Sequence, residues 1–129
     1  MPTPDFASPA DLPTPFGYSH VVGIPAGRLV WTSGQVAIDA DGAVPDGWEA
    51  QTRLVFENLG RALAAQAATW AGVVKLTYFV TGLEEIATVR SVRDEFVDTA
   101  HPPTSSLVQV AGLFRPDLLV EVEAVAWLP

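Results

Sequence analysis

The segment Val120-Glu121-Val122-Glu123-Ala124-Val125-Ala126-Trp127 decides the fold class. Val120, Val122, Ala124 and Ala126 share one face, and Glu121, Glu123, Val125 and Trp127 share the other, the period-two signature of a strand. The first face is uniformly apolar and belongs against a core. The second mixes carboxylates with large apolar groups, a composition that neither open solvent nor a plain core explains. The strand is read over residues 118–127.

Upstream, two stretches carry helical spacing. Residues 48–70 contain no proline, and Val55, Leu59, Ala62 and Leu63 recur at helical intervals while Glu49, Arg53, Glu57 and Arg61 take another face. This is read as one helix, closed by Gly72. After Gly82, Glu84 and Glu85 suit a helix's first turn, Ile86, Val89, Val92 and Phe96 form its apolar stripe, and His101-Pro102-Pro103 breaks it. Residues 73–81 and 105–111 read as strands. Nearer the start, 18–24 and 28–33 read as a hairpin about Pro25-Ala26-Gly27, followed by a short strand through Val36 and Ile38 that ends at Asp39-Ala40-Asp41-Gly42. The order strand pair, helix, strand, helix, strand pair predicts an α+β fold with both helices on one face of a mostly antiparallel or mixed sheet. Two helices cover one face only, and a second copy of the chain is the simplest cover for the other.

The chain of 129 residues has room for one domain. Residues 1–17, interrupted by Pro2, Pro4, Pro9, Pro13 and Pro15, read as an extended arm, and residues 18–129 as a single domain in which ordered structure starts at Tyr18. Apolar residues make up 49% and charged ones 17%, so some apolar surface is expected between subunits. The net charge of -8 repels phosphate, and Arg28, Arg53, Arg61, Lys75, Arg90, Arg93 and Arg115 lie scattered singly, which argues against nucleic acid and anionic membranes as partners. Without cysteine, disulfides, thiolate nucleophiles and Cys-based zinc sites are excluded. Neither a signal peptide nor a membrane span can be drawn, and a cytoplasmic location is the expectation.

Several short motifs follow one another in a recognisable order. They are Tyr18 after Phe16-Gly17, Ser33-Gly34-Gln35, Gln51, Asn58-Leu59, Val74-Lys75, the Pro103 segment and the run from Val120 to Ala126. Over 18–127 the chain resembles the reactive-intermediate deaminase (Rid/YjgF) family. The resemblance implies a chorismate-mutase-like fold and a homotrimer with clefts at the subunit boundaries. It also implies hydrolysis of enamines and imines, typically 2-imino acids, without metal or organic cofactor. In the family an arginine two residues after the proline clamps the substrate carboxylate; here that position is Ser105. A hydroxyl does not replace a bidentate Arg–carboxylate contact, since a charged hydrogen bond contributes roughly 1.5–3 kcal/mol. The expected substrates are therefore neutral imines or enamines, or carboxylates held by another group such as Arg28 or Arg115.

Hydrolysing an imine requires a proton for nitrogen and a water for carbon, and one carboxyl group in a partly desolvated cleft can serve both steps. Glu121 matches the family's water-positioning glutamate; a structural carboxylate at an interface is the competing reading. Glu123, about 6.5–7 Å further along the same strand face, is read as facing Lys75 or another subunit's arginine. Tyr18, Ser33 and Ser105 match positions that line the family's cleft, with strand-end hydrogen bonding or space filling as the alternative. His20 and His101 lack ligand spacing, so no metal is expected. Three functions fit: a cofactor-free enamine/imine deaminase or related hydrolase acting on a small molecule; a non-catalytic trimeric metabolite-binding protein; and a Rid-fold enzyme recruited to another reaction in a specialised pathway.

Overall fold

The computed structural model describes residues 2–129. Ten elements follow in order: β1 (Asp5–Ala7), β2 (Val21–Gly23), β3 (Arg28–Trp31), β4 (Gln35–Val36), α1 (Trp48–Ala64), a 3₁₀ turn (Trp70–Gly72), β5 (Val73–Val80), α2 (Ile86–Arg93), β6 (Thr104–Gln109) and β7 (Val120–Leu128). The main sheet runs β3-β7-β5-β6, with β4 also pairing β7. Its one parallel pair is β5–β6; the β7 pairings are antiparallel, so the sheet is mixed.

The strand alternation read in 120–127 places Val120, Val122, Ala124 and Ala126 in the core. Phe56, Leu59 and Leu63 of α1 and Val89 of α2 meet them, together with Leu76, Tyr78 and Val80 of β5. Phe56 is stacked on Trp70 at 5.3 Å and packs against Phe96 at 5.4 Å. Buried Gln51 ties α1 to the start of β7: its amide nitrogen donates to the carbonyls of Pro45 and Asp117, and its amide oxygen accepts from the Leu119 N–H. On the opposite, open face lie Leu29, Trp31, Phe79, Val108 and Val125 with Glu121 and Glu123; Trp31 is 66% exposed and Val108 46%. The fold is α+β with both helices on one face of a mixed sheet.

Four sequence expectations need correction. The second helix, α2, spans only Ile86–Arg93, so Glu84 and Glu85 precede it, Phe96 lies beyond its end, and it stops well short of His101-Pro102-Pro103. The 18–33 hairpin does not form: β2 pairs with β1, and β3 with β7. The non-local partners win because β7 offers β3 a full antiparallel edge, and Trp127 Nε1 donates to the Pro25 carbonyl and holds the turn against β7. Ordered structure consequently begins before Tyr18, with β1. The first helix ends at Ala64 rather than running to residue 70, because Ala67 takes a left-handed φ of 60° and the Ala68 N–H closes back on the Leu63 carbonyl. That is the Schellman geometry, which glycine ordinarily supplies.

Candidate functional site

Ser19 is buried, its hydroxyl donates to the Pro102 carbonyl at 2.6 Å and its N–H to the Pro103 carbonyl at 3.2 Å. These two bonds fasten the end of the arm beside the entrance to β6. Tyr18 and Ser105 thereby share the wall of one cleft of about 330 Å³ between β6 and α2, which Phe16, Tyr78, Arg90 and Arg93 also line. A wider depression of about 730 Å³ at the start of α1 is lined by Asp46, Glu49, Arg53 and Glu85 among others, but receives none of the sequence-derived site residues.

Inside the cleft the electrostatics are unusual for so acidic a chain. Arg90 and Arg93 stand one helical turn apart on α2, so their side chains converge on the same side. Arg93 is only 7% exposed. Its Nε donates to Asp94 Oδ1 at 2.9 Å. The guanidinium lies so close under Gly17 (φ 78°) that a methyl group there would overlap it. Arg90 sits over the Phe16 ring at 5.5 Å, a cation–π contact. Tyr78 is buried, and its hydroxyl has no hydrogen-bond partner among the described residues. Burial pushes the Tyr78 phenol above its ordinary pKa, an effect that the nearby Arg93 charge opposes.

Ser33 and Glu121 lie elsewhere. In the register, Glu121 faces Phe79 on β5 and Val36 on β4, which puts it on the open face. Ser105 pairs with Leu76, whose side chain is buried on the helix side. The four candidates therefore fall into two separate groups within one chain, Tyr18 with Ser105 in the cleft, and Glu121 against Gly34, which follows Ser33. In the second group Gly34 is packed against the Glu121 carboxylate so tightly that a Cβ would overlap it.

Neither cation named from the sequence reaches Ser105. Arg28 donates to Gln66, at 3.2 Å to Oε1 and 2.6 Å to the carbonyl, and Arg115 is paired with Asp117 at 2.6 and 3.0 Å. Arg90 and Arg93 were missed because they were counted singly; their spacing of three within a helix was the available signal. Lys75 bonds Ser106 at 2.9 Å rather than Glu123. His20 meets the Pro13 carbonyl at 2.7 Å and the Tyr18 ring edge-on, and His101 sits beside Asp98 on the surface. Among the described residues no group of three His, Asp or Glu side chains is placed to hold a metal, and no helix is long and apolar enough to cross a membrane.

The family model described as Endoribonuclease L-PSP matches residues 10–128. The chain is 37% identical over 111 residues to the 2-iminobutanoate/2-iminopropanoate deaminase of Salmonella typhimurium, covering 83% of this chain and 85% of that protein. It is 35% identical over 124 residues to a RutC family protein of Synechocystis, covering 93% of each. Among solved structures, the Rid family protein YyfB of Yersinia pestis superposes with a TM-score of 0.85 at 32% identity, over 98% of this chain and 99% of that one. Escherichia coli TdcF, solved with bound serine, gives 0.74 at 34% identity over 95% and 94%. The two-helix mixed sheet, the ordered motifs from Tyr18 to the last strand and these matches over nearly the whole chain agree: the protein belongs to the reactive intermediate deaminase (Rid/YjgF) family.

Proposed function

We propose that this chain is a cofactor-free hydrolase of small imines or enamines, acting as a homotrimer whose copies join the two half-sites. The observation that carries the reading is the Glu121 carboxylate held against Gly34 beside Ser33 on a sheet face that also exposes Trp31 and Val108. A second copy covering that face buries the apolar groups and brings Glu121 to a neighbour's cleft of Tyr18 and Ser105. Relatives named as deaminases supply the reaction class.

In this reading Glu121 accepts a proton from water as its oxygen adds to the imine carbon, and the nitrogen is protonated. The resulting carbinolamine then loses ammonia and leaves a carbonyl. One water is consumed per ammonia released, and an enamine enters the same path through its imine tautomer. Tyr18, Ser33 and Ser105 orient the polar atoms. Ser105 in the arginine position removes the carboxylate contact from β6, so the substrate is not gripped from that strand. RNA cleavage, suggested by the description of the matched family model, has less support, because a net charge of -8 repels phosphate.

The test is ammonia release from a panel of neutral and acidic imines. Glu121→Gln is expected to lower kcat by about 10²–10⁴-fold, the usual contribution of a positioned acid–base group. Equal rates for wild type and variant across the panel, or a monomer by sedimentation at micromolar concentration, would remove the assignment.

A further inference from the structure

We propose that a second cavity, between the arm and the end of β7, binds a hydrophobic monoamine in its cationic form, with Asp98 taking the ammonium and the rings of Phe6 and His101 taking the apolar body. It shares no lining residue with the cleft of Tyr18 and Ser105, and it stands whether or not that cleft hydrolyses imines.

The cavity holds about 350 Å³, within the roughly 300–1,000 Å³ of small-molecule sites. Pro4 and Phe6 of the arm form one side, Leu128 and Pro129 another, and Asp98 and His101 lie on the loop that follows α2. The 3₁₀ turn closes it. There Gly72 packs so closely on the Trp127 carbonyl that a methyl group would overlap it, which fixes two walls against each other. Among the described residues that line the cavity, Asp98 is the one acidic side chain, and neither lysine nor arginine accompanies it. Its Oδ1 accepts the Ala100 N–H at 3.0 Å, which anchors the carboxylate and, with His101, holds its pKa below the usual carboxylate range. Its Oδ2 meets the His101 ring at a long 3.3 Å from Nδ1, and so keeps room to accept from an ammonium. The Phe6 and His101 ring centroids lie 6.3 Å apart with a tilt of 48°, two flat apolar surfaces beside that carboxylate.

Other ligand classes leave part of this wall unmet. An anion would face Asp98 with no lining cation to offset it, on a chain of net charge -8. A purely apolar molecule would cover the ionised oxygen without bonding it, which is costly. A polyamine or basic peptide carries several charges for a single carboxylate. A monoamine with an aromatic or branched aliphatic body satisfies both halves, its ammonium on Asp98 and its body against Phe6, Pro4 and Leu128.

The experiment is a calorimetric titration of the full chain at pH 7 with 2-phenylethylamine and, separately, with 2-phenylethanol, which carry the same ring on an ammonium and on a hydroxyl. Saturable binding of the amine is expected, at least about tenfold tighter than that of the alcohol, as one charged hydrogen bond warrants. Asp98→Asn keeps an oxygen for the Ala100 N–H and should remove that preference. Phe6→Ala should weaken both ligands by about tenfold, through lost apolar contact. Asp98 lies on the surface, so its variant stays informative if Phe6→Ala unseats the arm. The proposal is overturned if the amine shows no saturable binding, if the alcohol binds as tightly, or if Phe6→Ala leaves both affinities unchanged. An amine preference that survives Asp98→Asn also overturns it, and assigns the binding to the general negative charge of the chain. Ammonia release from imines reads the other cleft, so the two readings fail separately.

Discussion

Replacing Tyr78 by phenylalanine deletes one oxygen and preserves the ring that packs near Phe56 at 6.2 Å between centroids. In the ligand-free protein that oxygen is buried and unpartnered. A buried polar group left without a partner destabilises by about 1–3 kcal/mol, and loss of the hydroxyl's proximity to Arg93 offsets part of the gain. Tyr78→Phe should therefore stabilise the free protein by about 1 kcal/mol, or about 3–5 °C in Tm for a chain of this length. A further signature lies at alkaline pH. Burial raises the Tyr78 phenol above its ordinary value, so above about pH 10 the unfolded chain releases a proton that the folded chain keeps. That group's contribution is fully present below the unfolded value and is lost, at about 1.4 kcal/mol per pH unit, as pH rises toward the folded one. Tyr78→Phe should lack this component of the alkaline loss. Urea titrations at fixed protein concentration, at pH 7 and through pH 10–11, give both quantities. A less stable variant at pH 7 with the same alkaline limb as wild type would show that the hydroxyl is already satisfied, by the neighbouring Arg93 guanidinium.

Two other perturbations separate the half-sites from the scaffold. Gly34→Ala places a methyl group where the Glu121 carboxylate lies; because the displaced atoms are the end of a flexible side chain, kcat for imine hydrolysis should fall at least about tenfold while Tm moves little, measured on the same preparation. Ala67→Gly removes the strain of a left-handed residue at the end of α1 and should stabilise by about 1 kcal/mol in urea unfolding, with no effect on activity.

The parts of the fold that were legible in the sequence are those governed by local periodicity. The alternation in 120–127 and the strand after Gly72 emerge with small shifts at their ends, and the stripe of Ile86, Val89 and Val92 emerges on a helix that stops at Arg93, short of Phe96 and of the His101-Pro102-Pro103 break. What the sequence concealed was decided by partners distant along the chain. A Pro-Ala-Gly turn between two apolar runs argues for a hairpin, yet β2 finds the arm and β3 finds β7, because sheet edges are allotted by the whole fold. Alanine is the best helix former, so nothing local marks Ala67 as a terminator. The site split along the same line. Tyr18, Ser33, Ser105 and Glu121 could be nominated by resemblance, but their division between two faces follows from strand register. Arg90 and Arg93 were visible as a spacing of three, and acquire meaning only once α2 is laid beside Ser105.

The buried cation of this cleft stands on a helix, which changes what the cleft depends on. A strand-borne arginine takes its position from the sheet ladder, which is rigid. Arg93 takes its position from Asp94 on one side and from the backbone at Gly17 on the other, and Gly17 is seated by the Ser19 bonds to Pro102 and Pro103, across 83 residues of sequence. The pairing of β1 with β2 holds the same segment from its other end. The proline-rich arm is thus part of the site's construction: it lays Gly17 over the guanidinium, places Tyr18 in the cleft and sets Phe16 under Arg90. Glycine at 17 meets two requirements together, a positive φ and the absence of a side chain above a buried charge.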